Sequence, residues 1–193
     1  MDSIGPVYLM QPIPYLGEMI RDDWIYEPKI DGWRMQIIRQ PDGNIEIWGR
    51  RLERKPDWTD KLSYLIGMIE SFCPKGSILD CELSSTKGRR FIPSLFARNR
   101  KAEPIIWIFD TIYYDNFFVG DRPLSERKRL ISNLSIRKPF YLVAEEELSD
   151  IELALNRAIR DGHEGVVIKR LHSKYQVGSD GPIATQDWRK LKP

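Results

Sequence analysis

The chain has 193 residues, of which 41% are hydrophobic and 30% charged, with a formal net charge of +2. That composition fits one full-sized domain with a packed core and excludes a disordered or collagen-like chain. No apolar run approaches the roughly 20 residues that span a bilayer. The stretch Met1–Met10 carries Asp2 and no basic segment of the kind that opens a secretory leader. Cys73 and Cys81, with His163 and His172, offer no zinc-ligand spacing, and the two cysteines read as reduced thiols in an intracellular, cytoplasmic protein.

Residues 1–20, with Pro6, Pro12, Pro14 and Gly17, read as an extended lead-in. Strands are expected over Trp24–Ile30 and Trp33–Arg39. The turn Pro41-Asp42-Gly43-Asn44 then returns the chain along Ile45–Trp48. Leu62, Leu65, Ile66 and Ile69 lie at helical spacing within a helix over 59–72 that Gly76 closes. A strand over Ile78–Leu83 follows, then a basic loop over 84–102 with one short helix, then a buried strand over Ile105–Tyr114. Pro123–Leu134 is a helix with proline in its first turn, and Tyr141–Val143 a strand fragment. Ser149-Asp150-Ile151-Glu152 forms a capping box ahead of a helix whose apolar face is Ile151, Ala154, Leu155, Ala158 and Ile159. Strands over Val166–Leu171 and Asp187–Lys192 end the chain. Strands clustered without regular helix alternation predict an α+β fold, antiparallel sheets flanked by helices.

Charge is segregated. Six basic residues and no acidic one fall within 84–102: Lys87, Arg89, Arg90, Arg98, Arg100 and Lys101. Further basic clusters lie at Arg50, Arg51 and Arg54, and at Arg127, Lys128 and Arg129. Acidic charge gathers at Glu145–Glu147. A basic face of this kind suits phosphates, although a solvated surface produces the same pattern.

Five short segments carry the residue types of phosphate chemistry. In Glu27-Pro28-Lys29-Ile30-Asp31-Gly32-Trp33-Arg34 a lysine ends a strand beside a carboxylate and a tight glycine turn. A lysine acts as a nucleophile once it has lost its proton, which burial or nearby cations favour. Asp80 and Glu82 share one face of a strand, as two carboxylates that hold a metal or a sugar hydroxyl would. Phe109, with Asp110, offers an aromatic face that a base can stack on. Glu164 and Lys169 flank an apolar strand core that bends at Gly165. Lys190 and Lys192 alternate about Leu191, two ammonium groups on one face. Each segment alone reads equally as surface charge or core strand. Their order along the chain is the stronger signal.

Taken in order, the segments resemble the adenylation (nucleotidyltransferase) domain of ATP-dependent DNA ligases, over about Tyr26 to Lys192. The resemblance implies an ATP-grasp-like nucleotidyltransferase fold and one adenylation domain over 1–193. It also implies ATP as the nucleotide, AMP as a covalent intermediate on Lys29, and magnesium or manganese as the metal. Lys29, Asp31, Arg34 and Lys190 are then the catalytic set. The nucleotide is held by Glu27, Lys29, Ile30, Arg34, Arg50, Glu82, Phe109, Glu164, Lys169, Lys190 and Lys192, and the metal by Glu82 and Glu164. Cations at Arg34, Lys169, Lys190 and Lys192 are expected both to depress the Lys29 pKa and to neutralise phosphate charge. Nicked duplex DNA is the implied partner, bound through Arg50, Arg51, Lys87, Arg89, Arg90, Arg98 and Arg100 by a monomer. The expected reaction seals 5′-phosphate/3′-hydroxyl nicks. The alternatives are an RNA ligase, cap guanylylation, or an adenylation-only or nucleic-acid-binding module that works with a separate OB-fold or repair partner. Two departures accompany the resemblance. Cys81 stands where the family usually has glycine. Residues 1–193 are expected to hold no oligonucleotide-binding (OB) barrel with its basic pyrophosphate-orienting motif, which family members carry after this domain.

Overall fold

The computed structural model describes residues 3–20 and 23–193, so the first two residues of the lead-in lie outside it. The described residues form eleven strands: β1 (Gln11–Pro14), β2 (Trp24–Pro28), β3 (Trp33–Arg39), β4 (Ile45–Gly49), β5 (Ser77–Ser85), β6 (Pro104–Tyr114), β7 (Phe117–Phe118), β8 (Phe140–Leu142), β9 (Glu146–Glu147), β10 (Val166–Arg170) and β11 (Ala184–Leu191). The α-helices are α1 (Ile66–Phe72), α2 (Leu124–Ser132) and α3 (Ile151–Arg160). One sheet has the order β1-β11-β10-β2-β9. The other runs β4-β3-β5-β6-β7, with β8 alongside β6. Pairing is antiparallel except for β1 with β11 and β6 with β8. The architecture is the α+β arrangement that the strand clustering implied.

Alternation along the central strands builds two different faces. Met35 and Ile37 of β3, with Leu79, Cys81 and Leu83 of β5, point into a core covered by Leu62, Leu65, Ile69 and Phe72. Cys81 is fully buried there, so its side chain serves packing. The even-numbered residues point the other way. Ile38 and Ile78 meet Met10, Ile112, Tyr175 and Trp188 in a second core between the sheets. Trp24, Ala158, Val166 and Ile168 form a third core, which seats α3 on the first sheet.

Several boundaries differ from the expectations. Only residues 66–72 of the 59–72 segment are α-helical, preceded by a 3-10 turn at Ser63–Leu65. Asp57 Oδ1 accepts hydrogen bonds from the backbone N–H and hydroxyl of Thr59, and Thr59 Oγ1 in turn accepts from Ile47 N–H. These bonds hold the start of the segment against β4 as a turn. The cap of α3 is Asp150, whose carboxylate accepts from Leu153 N–H, rather than Ser149. Pro123 caps α2 from outside with extended ψ rather than sitting in its first turn. The basic 84–102 segment contains a 3-10 helix over Arg89–Phe96. The two-residue strands β7 and β9 were not expected, and β11 begins earlier than Asp187.

Candidate active site

The two sheets enclose a cavity of about 770 Å³, within the range of pockets that hold small organic ligands. β2 delivers Glu27 to its wall, and Lys29 follows just past the strand end. β10 and β11 add Lys169, Trp188 and Lys190, with Lys192 beyond the end of β11. The facing sheet supplies Arg34, Glu82 and Phe109.

Two glycines permit this closeness. At Gly165 the backbone has φ 151°, and a Cβ there would lie 2.1 Å from the Leu191 carbonyl oxygen. Lys29 N–H donates to Gly165 O at 2.8 Å and Glu164 N–H donates to Lys29 O at 3.1 Å, so the nucleophile candidate and the Glu164 backbone are hydrogen-bonded neighbours. At Gly32 a Cβ would lie 2.4 Å from Leu83 O and 2.8 Å from Glu82 Cγ. Gly32 therefore brings the turn after Lys29 down onto β5 beside Glu82.

The Lys29 ammonium pairs with Glu164, whose other oxygen takes Lys192. Burial alone would raise the Glu164 carboxyl, but the hydrogen bonds from Lys192 and Lys29 outweigh it and hold it below the ordinary value. Glu82 differs. It forms no salt bridge among the described residues, and burial pushes it up to about 7 despite Arg34 and Lys29 nearby. Two carboxylates with hard oxygen donors, Glu164 on one side of the cavity and Glu82 on the facing sheet, fit a magnesium ion that keeps most of its water. Among the described residues no cluster of three or more metal-ligating side chains exists.

Arg34 reaches deeper. Its Nε and Nη2 donate to the Asp80 carboxylate at 2.8 and 2.6 Å, and Nη2 also donates to Met10 O. Tyr175 OH donates to the same carboxylate at 2.5 Å and accepts from Met10 N–H at 3.1 Å. The Phe109 ring lies 5.0 Å from the Arg34 guanidinium and 4.7 Å from Lys169 Nζ. Lys169 is 1% exposed and sits 2.6 Å from Glu27 Oε2. Arg34 and Lys169 thus each hold a buried carboxylate, unlike the free phosphate cations expected of them. Among the lysines on the wall, Lys190 alone lacks a carboxylate partner among the described residues.

The structure gathers Glu27, Lys29, Ile30, Arg34, Arg50, Glu82, Phe109, Glu164, Lys169, Lys190 and Lys192 around this cavity. Three named residues stand apart from it: Asp80, fully buried with its carboxylate taken by Arg34 and Tyr175 and so closed to a metal or sugar hydroxyl, and Asp31 and Asp110. Asp31 is exposed beside the wall, paired with Arg89 at 2.8 Å, because the turn at Gly32 directs it outward. Asp110 is fully buried in a bidentate pair with Arg127 at 2.8 and 3.0 Å, so it faces the core and no ligand. Arg50, Arg51, Arg54 and Arg89 rim the mouth. Lys87, Arg90, Arg98 and Arg100 are exposed beyond it, with Arg100 lying 4.0 Å over the Tyr64 ring. Lys128 and Tyr175 escaped the sequence reading: a lysine within a charged helix and a tyrosine in a loop carry no signal that they are buried against the site.

An amine flanked by a carboxylate, with an aromatic ring and a basic mouth around one nucleotide-sized space, defines a class: the nucleotidyltransferase domain. The family model described as the ATP dependent DNA ligase domain matches residues 9–192. The chain belongs to that family of ATP-dependent DNA ligases. A DNA ligase of Methanothrix thermoacetophila is 33% identical over 184 residues, spanning 86% of this chain and 32% of that protein. One from Saccharolobus solfataricus is 30% identical over 186 residues, spanning 87% and 30%. The chain therefore spans about a third of the length of the curated relatives it matches. Among solved structures, mycobacterial DNA ligase D complexed with ATP and MES shares the fold, with TM-score 0.70 and 22% identity over 95% of this chain and 60% of that one.

Proposed function

We propose that residues 1–193 form an adenylation domain that transfers AMP from ATP to Lys29 and passes it to the 5′-phosphate of nicked duplex DNA, leading to strand sealing. The observation that carries this reading is the Lys29 amine held by Glu164 inside the cavity, with Lys190 and Lys192 on the same wall.

The purine enters between Glu27 and Phe109, and the triphosphate runs toward Lys29 and Lys190. Lys29 first leaves Glu164 and gives a proton to solvent, to which it is partly exposed, which frees the lone pair on Nζ; a second N–H proton follows to solvent once the P–N bond has formed. The P–N bond to the α-phosphorus then forms as the bond to the pyrophosphate oxygen breaks, and pyrophosphate carries that electron pair away. Lys190 and Lys192 offset the charge that gathers on the phosphate oxygens. Arg34 acts by fixing the wall beneath Phe109. Glu82 and Glu164 would hold a magnesium ion, which supplies further neutralisation of phosphate charge. AMP then moves from Lys29 to a DNA 5′-phosphate, and attack by the 3′-hydroxyl releases AMP. Arg50, Arg51, Lys87, Arg89, Arg90, Arg98 and Arg100 would grip the DNA backbone without reading its sequence.

Intact mass after incubation with ATP tests the first step. The expected result is one added AMP on the wild-type chain and none on Lys29→Ala. Lys29 is partly exposed, so its ion pair with Glu164 carries little stability and the variant should fold. An adduct on Lys29→Ala, or labelling by GTP in preference to ATP, would overturn the assignment. Nicked DNA and nicked RNA offered in parallel then separate the two ligase readings.

A further inference from the structure

A chain of four charges runs from Glu27 and Lys169 on the cavity wall to Lys128 and Glu145 behind it, and the reaction above does not use the last two. The Glu27 carboxylate is 3% exposed and is clamped from two sides. Lys169 takes Oε2 at 2.6 Å, and the Lys128 ammonium, delivered by α2, takes Oε1. Lys128 is itself 7% exposed and reaches a second carboxylate, Glu145 Oε2, at 3.1 Å. Glu145 follows closely on Val143, which lines the cavity. Glu27 Oε1, Lys128 Nζ and Lys169 Nζ are all shielded from solvent.

The two lysines behave differently. Burial and the neighbouring Lys128 push the Lys169 ammonium down. Burial also works against the Lys128 charge, but Glu27 and Glu145 together more than offset it and raise it. Lys128 is therefore the fixed charge of the cluster, and Glu145 helps to keep it so. An ionised carboxylate only accepts hydrogen bonds, with about four lone-pair directions. Two lysines occupy part of that capacity and leave the rest for a ligand. At the six position, adenine presents an amino group that donates, whereas guanine presents an oxygen that accepts.

We infer that Lys128, backed by Glu145, is a positioning residue for base selection: it holds the Glu27 carboxylate oriented so that this wall accepts a hydrogen bond from the six-amino group of adenine and repels the six-oxygen of guanine. This rests on the reading above that the base enters beside Glu27. It assigns the selectivity to a residue that does not itself line the cavity.

The test is calorimetric binding of ATP, GTP and purine riboside triphosphate (the adenine ring without its amino group) to the full chain, wild type and variants. The wild type should favour ATP over both others by about tenfold or more, as a hydrogen bond to a charged acceptor allows. Lys128→Met should weaken ATP by about 10- to 100-fold while leaving purine riboside triphosphate within about threefold, so the preference collapses. Lys128→Arg should restore it. Glu145→Gln, at the exposed end of the chain of charges, should reduce the preference by about threefold, and it carries the test where Lys128→Met does not fold. A folded Lys128→Met that weakens all three nucleotides in parallel would overturn the inference. So would an unchanged ATP preference in it, an unchanged preference in Glu145→Gln, or a wild type without the preference. Because the titrations are run in EDTA, so that binding is read without turnover, loss of the Lys29 adduct with intact base preference would strike the proposed activity and leave this assignment standing.

Discussion

Arg127→Met removes one half of a fully buried ion pair. Both side chains of the Arg127–Asp110 pair are 0% exposed. Arg127 Nε and Nη2 donate to the two carboxylate oxygens at 2.8 and 3.0 Å, and Nη1 donates to the carbonyls of Ser173 and Arg122 at 2.9 and 2.5 Å. The methionine leaves Asp110 buried with no cation against it and strips those two carbonyls of their donor. Breaking one side of such a pair costs about 3–5 kcal/mol. That is a large part of the roughly 5–15 kcal/mol that holds a domain folded. For a chain of this size it corresponds to a fall in melting temperature of roughly 6–20 °C. Urea denaturation at pH 7 measures the free-energy change, and a thermal scan gives the temperature. Arg127 holds the Asp110 carboxyl below its ordinary value against the pull of burial. That contribution is present above the unfolded carboxylate range and fades as pH falls through the folded value, so acid should narrow the gap between wild type and variant. Asp110→Asn combined with Arg127→Met should recover at least half the loss, since no buried charge then remains. A single-variant cost below about 1 kcal/mol, the size typical of exposed pairs, would refute the reasoning, as would a double variant no more stable than the single one.

Further outcomes follow from the same geometry. Glu82 keeps its proton in the native state up to about pH 7 against an ordinary 4.5. Metal-free stability in EDTA should therefore fall by an amount on the order of 3 kcal/mol as pH rises between those values. Glu82→Gln should flatten that fall, and a profile unchanged by the substitution would contradict it. Gly165→Ala should unfold the β10–β11 junction or displace Lys29, with a cost of several kcal/mol and no AMP adduct by mass; a stable, adenylated variant would show that the close approach is unnecessary. Arg90→Ala with Arg98→Ala should leave adenylation unchanged. The double change should also lower the slope of log affinity for nicked DNA against log salt by about 2, and an identical slope would remove both residues from the interface.

What the sequence discloses depends on how local the cause is. The β3–β4 hairpin was legible because alternation and an Asp-Gly turn are short-range signals. Lys29, Glu82, Phe109, Glu164 and Lys190 were legible because their order along the chain is a pattern, and the fold then brings them to one cavity. The 59–72 helix was overdrawn because the apolar spacing is real, but Thr59 spends its hydroxyl on β4. Asp31 and Arg34 carry similar motif weight, yet one faces outward to Arg89 and the other inward to Asp80. Nothing in their spacing separates the two. Lys128 was hidden for a tertiary reason: a charged helix reads as solvated, and only the packing of α2 against β6 turns this lysine into the core.

The carboxylate of Asp80 has a mechanical consequence. Arg34 and Tyr175 both close on it, and the same two side chains engage the backbone of Met10, just ahead of β1 in the opposite sheet. The two halves of the molecule are thus tied at depth by short polar bonds that water does not reach. The tie sits behind a cavity that carries Lys29 on one side and Glu82 on the other, so a single carboxylate anchors both sheets, and replacing Asp80 would loosen the two together.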